Sequence, residues 1–301
     1  MNKTYHIPVL LTESVDALNI NPAGIYVDVT FGGGGHSREI LNKLTTGKLV
    51  AFDRDSDAEA NKINDDRFIF VRNNFKFLHN FLRYNEIAEV DGILADFGVS
   101  SHHFDDASRG FSFRYNAEID MRMNKNSDFS AAKLLNEYSE SELKRVFRDY
   151  GEIDNAGLLA KIIVEKRNEK QIKTVDDFLE IIKPRTPKKD ENKFFAKVFQ
   201  ALRIEVNQEI DAIEQMLVHS LKSLKNNGRL VVITYHSLED RLVKNFMRSG
   251  NIDGKIEKDF YGNVNCPFKL ITRKAVVPSD SEIEENSRAR SAKLRVAEKI
   301  K

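Results

Sequence analysis

Residues 25–30, IYVDVT, form a short β-branched run that leads directly into the glycine-rich segment FGGGGHS and then into the helical pattern SREILNKL. This order predicts a strand, a glycine turn and a helix. Further short apolar runs at 49–53, 67–72 and 91–97 alternate with helical patterns, the first of which begins near Asp55. Such alternation is typical of a parallel sheet that is covered on both faces and joined by right-handed crossovers. We therefore predict an α/β fold with a Rossmann-like sheet.

The alternation stops after residue 97. The stretch from 98 to about 129 is rich in turn-forming residues, arginine and aromatics and has no sustained period, so it predicts a long functional loop. From about 130 to 200 the periodicity is helical, and Thr174 with Asp177 three residues later fits the start of a helix. No strand is predicted in this part of the chain.

The strand and helix pattern resumes in the last third of the chain. A helix over about 200–225 is followed by a strand at 229–237, another helix and a last strand candidate at 268–277. The final fourteen residues, RARSAKLRVAEKIK, contain six basic residues and one acidic residue. Two interpretations of them stay open, an arm or edge element and an ordinary solvated tail.

The simplest organisation is one α/β domain that is assembled from both ends of the chain. Its two parts are predicted at 1–105 and 205–301, and an all-helical domain with its preceding loop is inserted at 106–204. The chain has 301 residues, of which 41% are hydrophobic, with 47 basic and 46 acidic side chains. This composition indicates a packed globular protein and excludes a disordered one. The near-zero net charge gives no global argument for an anionic partner.

The cysteine content and the hydropathy of the sequence indicate the cellular compartment in which the protein is expected. Cys266 is the only cysteine in the sequence, so no intrachain disulfide can form, and there is no CxxC pair or Cys/His cluster for structural zinc. No apolar run approaches the roughly 20 residues that span a bilayer. We therefore expect a cytoplasmic protein without a signal peptide or a membrane segment.

The glycine turn can be compared with two ligand-binding patterns. A dinucleotide fingerprint requires G-x-G-x-x-G, but Ser37 stands in the third glycine position after Gly32 and Gly34. The acidic-then-glycine turn of S-adenosylmethionine enzymes matches better, beginning at Asp28, although Thr30 replaces the usual first glycine. We favour the second pattern, with a nicotinamide-dependent oxidoreductase as the rival interpretation.

Two acids at strand ends add to this pattern. Asp53 follows Gly32 by 21 residues, the distance at which an acidic residue accepts hydrogen bonds from a ribose diol. On its own, Asp53 would more often be a helix N-cap or a solvated acid. Asp96 ends the fourth predicted strand, beside the reactive end of the ligand, where a carboxylate could orient an amine or hydroxyl nucleophile.

Eight segments of the chain occur in the order found in a known family. They are HIPVLLTESVDAL (6–18), DVTFGGGGHSREIL (28–41), AFDRD (51–55), DGILADFGVSS (91–101), RGFSFR with IDMRM (109–114 and 119–123), FQALRIEVNQE (199–209), YHSLEDR (235–241) and SRARSAKLR (287–295). On these motifs the chain resembles, nearly end to end, the bacterial RsmH (MraW) family. Members of that family are S-adenosylmethionine-dependent methyltransferases that modify the exocyclic N(4) amine of a cytidine in the decoding region of 16S rRNA.

The resemblance implies a class I methyltransferase sheet and a set of functional residues. Asp96 would be the catalytic residue. The contacts to the cofactor S-adenosylmethionine would be made by Gly34, Gly35, His36, Asp53, Phe75, Asp96 and His103. The chain departs from the family at His102-His103, where a Pro-Gln pair is more usual. Adjacent histidines lack metal-ligand spacing, so no metal site is expected.

The resemblance also implies the partners, namely 16S rRNA, expected within the small ribosomal subunit, no membrane, and a homodimer as one option for assembly. Three segments are candidates for RNA contact or for the wall of a base pocket: Arg109–Arg114, Lys183–Lys189 and Tyr235-His236-Ser237. A strand end with an N-cap serine is the other interpretation of the third. Methylation of another acceptor and a non-catalytic RNA-binding factor of ribosome assembly remain the alternative functions.

Overall fold

The computed structural model describes residues 8–98, 107–186, 188–262 and 264–301. The chain divides into two compact units. Unit 1 comprises 1–98 and 210–301, and unit 2 comprises 99–209. The sequence placed the corresponding boundaries at 105/106 and 204/205. Both boundaries differ, since the units divide at 98/99 and 209/210; the second lies later because the last helix of unit 2 continues to Asn207.

Seven strands of the described residues form one sheet in unit 1. They are β1 Ile25–Asp28, β2 Lys48–Asp53, β3 Phe68–Arg72, β4 Val90–Asp96, β5 Leu224–Thr234, β6 Phe268–Leu270 and β7 Lys293–Lys299. Their order in the sheet is β3-β2-β1-β4-β5-β7-β6. The first five strands are parallel, and β7 is antiparallel to both β5 and β6. This arrangement confirms the predicted α/β fold of the class I methyltransferase type.

Helices surround this sheet and make up most of unit 2. In chain order they are α1 Leu11–Ala17, α2 Gly35–Lys43, α3 Leu78–Tyr84, α4 Ala131–Glu137, α5 Glu140–Asp149, α6 Ala156–Glu169, α7 Val175–Ile182, α8 Glu191–Asn207, α9 Glu209–Ser223, α10 Ser237–Ser249 and α11 Asp280–Glu285. Within the described ranges, no helix combines the length and the apolar character needed to cross a membrane. The helix predicted near Asp55 is a 3-10 helix, Ser56–Asn61. Further 3-10 helices in the described part of the chain are Phe75–Phe77, Ala107–Arg109, Lys183–Arg185, Lys188–Asp190 and Ser287–Ser291.

The sheet is buried on both faces, as its pattern predicts. Adjacent residues of one strand, Ile93 and Leu94 of β4, are both fully buried and belong to different hydrophobic clusters. Tyr26 and Val27 of β1 divide in the same way. Parallel strands that are covered on both sides show this continuous apolar character, because there is no solvated face to carry polar residues.

The last predicted strand is confirmed only in part, and the final strand of the sheet lies further along the chain. The predicted strand at 268–277 is a strand only over Phe268–Leu270, whereas β7 lies in the basic segment that was interpreted as an arm, an edge element or a tail. The charges of β7 are matched by acids and bases of its neighbours: Arg295 donates to both oxygens of Asp240, at 2.7 and 3.0 Å. Because β7 pairs with strands on both sides, its charged residues mark neither a solvated tail nor an edge.

Unit 2 has its own hydrophobic core. Besides its helices, the core includes Phe111, Ile119 and Met121 from the segment that was predicted to be a loop. That segment is anchored by an isolated antiparallel bridge between Glu118 and Thr174. The predicted start of α7 is confirmed, because Thr174 and Asp177 form a reciprocal capping box.

The placement of β7 in the sheet is tested by truncating one of its buried side chains. Leu294 is 1% exposed, so Leu294→Ala should lower the free energy of unfolding of unit 1 by about 2–5 kcal/mol, measured by urea titration. The matched control is Ile300→Ala, which removes a side chain of equal size just beyond the strand, where it is 44% exposed. Equal losses in the two variants would contradict the placement.

Candidate functional site

The turn between β1 and α2 has a backbone that requires glycine. Gly34, the N-cap of α2, has a φ of 77°, and a Cβ there would lie 2.8 Å from the Phe31 ring. At Gly35 a Cβ would lie 2.1 Å from the Cγ of Pro8. Gly32 has a φ of 51°, and the nearest atom to its Cβ position is the Thr30 carbonyl oxygen at 4.0 Å. The turn is therefore tightly packed on one side and accessible to a ligand at Gly32.

The buried Asp28 carboxylate holds the turn in place. Ser37 donates its hydroxyl hydrogen bond to Asp28 at 2.6 Å, and the Thr30 backbone N–H donates to the other oxygen at 3.0 Å. Burial raises the pKa of Asp28, against the opposing effects of His36 and of these hydrogen bonds. The serine that breaks the dinucleotide fingerprint thus has a structural role in this fold.

Asp53 ties the end of β2 to the same turn. One of its oxygens accepts from the Gly32 N–H at 2.8 Å, and the other accepts from the Asp55 N–H at 2.8 Å. Burial raises the pKa of Asp53 and these two hydrogen bonds lower it. The helix N-cap interpretation of Asp53 is wrong, because Asp55 caps the following 3-10 helix by accepting from Asp57 N–H.

Asp96 ends β4 beside this turn. Its backbone N–H donates to the Thr30 hydroxyl at 2.7 Å. This hydrogen bond extends the pairing of β1 with β4 beyond Asp28, the last residue of β1. The Oδ1 atom of Asp96 is buried, and among the described residues it has no hydrogen-bond partner. Burial raises the pKa of Asp96, and the charge of His36 and the Tyr235 hydroxyl act in the opposite direction. An unpartnered buried acceptor is costly, so this oxygen is suited to a ligand that donates a hydrogen bond.

The other predicted site residues have different environments. His36 is buried in α2, with Nε2 3.2 Å from the Val9 carbonyl oxygen, which is the structural hydrogen bond expected of a helix-start histidine. Phe75 follows β3, is partly buried, and its ring centre lies 5.8 Å from that of Phe97. His103 lies outside the described residues.

The segment after β5 contributes a tyrosine that faces Asp96. A Cβ added at Gly98 would lie 2.8 Å from the Tyr235 ring, so the ring packs directly on the backbone after β4. Burial, followed by the charge of Asp96, raises the pKa of Tyr235 well above its usual value. The N-cap serine interpretation is wrong, because His236 is the N-cap of α10 and forms a capping box with Glu239.

The proposed RNA-contacting loop is partly buried within unit 2. Arg109 donates to the Met123 carbonyl oxygen at 3.4 Å, and Phe111 belongs to the core of this unit. Phe113 lies edge-on to Phe195 and Phe199, with ring centres 5.8 and 5.7 Å away. Arg109 and Phe111 therefore lie inside unit 2, and the exposed basic residue of this candidate segment is Arg114.

Three residues of the site carry roles that the sequence did not indicate. Thr30 stands where a glycine is usual, and its hydroxyl accepts the Asp96 N–H. Ser37 donates a hydrogen bond to the Asp28 carboxylate. The Tyr235 hydroxyl lowers the pKa of Asp96. For Thr30 and Ser37, the feature of the sequence that could have indicated these roles is their departure from the glycine pattern. The long separation between Tyr235 and Asp96 left no local signal for that pair.

Comparison with known proteins gives consistent matches. The model of the MraW methylase family matches residues 3–300. A protein of Bacteroides fragilis (strain YCH46) named ribosomal RNA small subunit methyltransferase H is 60% identical over 297 residues, which cover 98% of each chain. Relatives of the same name occur in Phocaeicola vulgatus, 60% identical over 98% of this chain and 97% of the other, and in Flavobacterium johnsoniae, 57% identical over 98% of each chain.

The role of Thr30 is tested by replacement with its near isostere. Thr30→Val removes the acceptor of the Asp96 N–H and should lower the free energy of unfolding by about 1–3 kcal/mol in urea titration. Thr46→Val makes the same chemical change at an exposed position and should be close to neutral. A neutral Thr30→Val would contradict the bridging role of the hydroxyl.

Proposed function

The chain belongs to the MraW methylase family, and we propose that it transfers a methyl group from S-adenosylmethionine to the exocyclic N(4) amine of a cytidine in the decoding region of 16S rRNA. The observation that carries this proposal is the buried Oδ1 atom of Asp96, which has no hydrogen-bond partner among the described residues. It supplies an acceptor for an N–H donor at the carboxyl end of β4. In an open parallel sheet, ligands bind at this end.

The residues around the glycine turn fit the proposed cofactor. The uncrowded position at Gly32 admits a ligand close to the main chain, as the methionine part requires, whereas Phe31 and Pro8 fill the space beside Gly34 and Gly35, so these two glycines would contact the cofactor through their backbone. The first N–H groups of α2 have no acceptor within the helix and are suited to a carboxylate. When bound, S-adenosylmethionine supplies an electrophilic methyl group.

The remaining proposed contacts are with the nucleoside part. Each Asp53 oxygen accepts one backbone hydrogen bond and retains a lone pair for a ribose hydroxyl. The partly buried Phe75 offers a ring face to adenine. Because the His36 ring is hydrogen-bonded to the Val9 carbonyl oxygen, we propose that His36 contacts the cofactor through its backbone. The charge of its ring also lowers the pKa of Asp96. His103 stays a prediction from the family resemblance.

Asp96 would activate the acceptor by hydrogen bonding. The lone pair of the cytosine amine is delocalised into the ring, which makes the amine a weak nucleophile. A hydrogen bond from the amine to Asp96 draws that lone pair out of conjugation and orients it. No strong base is needed, because the methylated amine before proton loss is acidic enough to give its proton to water. The target base has to leave its stack to reach this position.

The partner follows from the proposed acceptor. We propose that the substrate is 16S rRNA within the small ribosomal subunit, in line with the names of the relatives. A homodimer is the proposed assembly. Sedimentation of the protein alone tests it, since a monomeric species at micromolar concentration would contradict it.

The role of Asp96 predicts the behaviour of its variants. Asp96→Ala should lower kcat for transfer of labelled methyl to unmodified small subunits by roughly 100-fold or more, because the acceptor for the amine is lost. The matched control is Asp16→Ala, the same change at an exposed acid of unit 1, which should leave kcat unchanged. Wild-type turnover in Asp96→Ala would exclude this residue from the mechanism.

The effect of the Tyr235 hydroxyl on the pKa of Asp96 predicts how activity depends on pH. Asp96 must be ionised to accept from the amine, so activity falls as the pH drops through its raised pKa. Because the Tyr235 hydroxyl lowers that pKa, Tyr235→Phe should move the acid limb of the profile of kcat/KM to higher pH. Tyr84→Phe, at an exposed tyrosine, should leave the limb in place. An acid limb that does not move in Tyr235→Phe would rule out this coupling.

A further inference from the structure

A short segment before α1 lies against the glycine turn. We call this segment, Pro8–Leu10, the strap. The Pro8 ring packs directly on the backbone of Gly35, since a Cβ added there would lie 2.1 Å from the Pro8 Cγ. The Val9 carbonyl oxygen lies 3.2 Å from Nε2 of His36, the next residue along the chain. The strap therefore contacts two consecutive residues whose backbone is proposed to bind the cofactor.

The last residue of the strap has a backbone conformation that leucine rarely adopts. Leu10 is the N-cap of α1, and its φ of 51° and ψ of 39° lie in the left-handed region. In this region the Cβ of any residue other than glycine is crowded by the backbone. The Leu10 side chain is 1% exposed and packs in one apolar cluster with Val9 and Leu294. The path of the strap is therefore maintained by contacts with the rest of unit 1 and is not favoured by its own backbone.

The polar contact of this kind comes from α11, which is distant in the sequence. Oε1 of Glu282 accepts the backbone N–H of Leu10 at 2.7 Å. The Glu282 backbone is itself fixed, because its N–H donates to the Ser279 hydroxyl at 3.2 Å and its carbonyl oxygen accepts the Asn286 N–H at 2.7 Å. A hydrogen bond to a carboxylate is stronger than one between neutral groups. Glu282 thus stabilises the strap at the residue where its backbone is strained.

Glu282 lies at the same edge of the sheet as the proposed site. Burial, followed by the charge of Asp96 and, more weakly, that of Glu282, raises the pKa of the Tyr235 hydroxyl. Within the sheet, Lys293 at the start of β7 pairs with Thr234 at the end of β5. The segment that leads from α11 into β7 therefore reaches the carboxyl end of the parallel strands.

We propose that Glu282 is a positioning residue for S-adenosylmethionine, an inference that rests on the proposed function. It acts through Leu10: by fixing the strap it keeps the Pro8 ring on Gly35 and the Val9 carbonyl oxygen at the His36 ring. The backbone of the turn is then already in its binding conformation when the cofactor arrives. Such preorganisation raises affinity, because less conformational freedom is lost on binding.

Cofactor affinity of the full-length protein tests this role by isothermal titration calorimetry. Glu282→Ala removes the acceptor of the Leu10 N–H and should raise the Kd for S-adenosylmethionine about threefold to tenfold, the range that corresponds to one hydrogen bond. Glu282→Asp keeps the charge but withdraws the carboxylate by one carbon, so it should weaken binding in the same direction. Glu282→Gln keeps an acceptor oxygen at the original distance and should stay within about twofold of the native Kd. The matched control is Glu284→Ala, at an exposed acid of the same helix, which should bind as the native protein does.

Two further readouts separate positioning from a general effect on stability. In methyl transfer, the effect of Glu282→Ala should appear in KM for the cofactor rather than in kcat. Pro8→Ala, which removes the ring that lies on Gly35, should also raise the Kd. If both residues act through the strap, the double variant Pro8→Ala/Glu282→Ala should lose less affinity than the product of the two single losses.

The outcomes distinguish this inference from the proposed function. Native cofactor affinity in Glu282→Ala and Glu282→Asp, with or without a lower urea midpoint, would overturn the inference and leave the proposed function standing. Equal losses in Glu282→Gln and Glu282→Ala, or single losses that multiply in the double variant, would also overturn it. If the native protein does not bind S-adenosylmethionine, the inference and the proposed function both fail.

Discussion

The buried carboxylate of Asp28 is the interaction on which the site depends. It fixes Ser37 at the start of α2 and the backbone of Thr30, while the Thr30 hydroxyl in turn accepts the N–H of Asp96. One buried acid thus links the first strand, the glycine turn and the end of the fourth strand. Since Asp53 ties the second strand to the same turn through Gly32, three strand ends are held in register before any ligand binds. Such preorganisation lowers the cost of orienting two reactants.

Most of the sheet could be predicted from the sequence, because buried parallel strands are continuous apolar runs that stand out between helices. The exception was β7, where Arg295 and its basic neighbours resemble a solvated segment. Their partners, such as Asp240, are distant in the sequence, and local composition cannot reveal pairing of that kind. The same limit applies to the segment after β4, where Arg109 and Phe111 have a composition suited to RNA binding but are buried in unit 2.

Within the site, residue types were easier to predict than roles. The strand-end positions of Asp53 and Asp96 follow from the strand pattern alone. That Asp96 has a buried oxygen without a partner among the described residues, whereas both oxygens of Asp53 accept backbone N–H groups, depends on three-dimensional geometry. This difference supports the separate roles that we propose for the two acids, namely a ribose contact for Asp53, which also holds the turn, and a hydrogen bond to the acceptor amine for Asp96. The assignment to a cytidine of rRNA rests on the family, because the fold itself admits many acceptors.

The central claim is tested most directly by transfer of labelled methyl from S-adenosylmethionine to small ribosomal subunits that lack this modification, with naked 16S rRNA compared under the same conditions. Nucleoside analysis of the digest identifies the product. The account predicts that the label appears as N(4)-methylcytidine at one nucleotide of the decoding region. Cofactor binding without transfer to either substrate, or label in a different nucleoside, would contradict it.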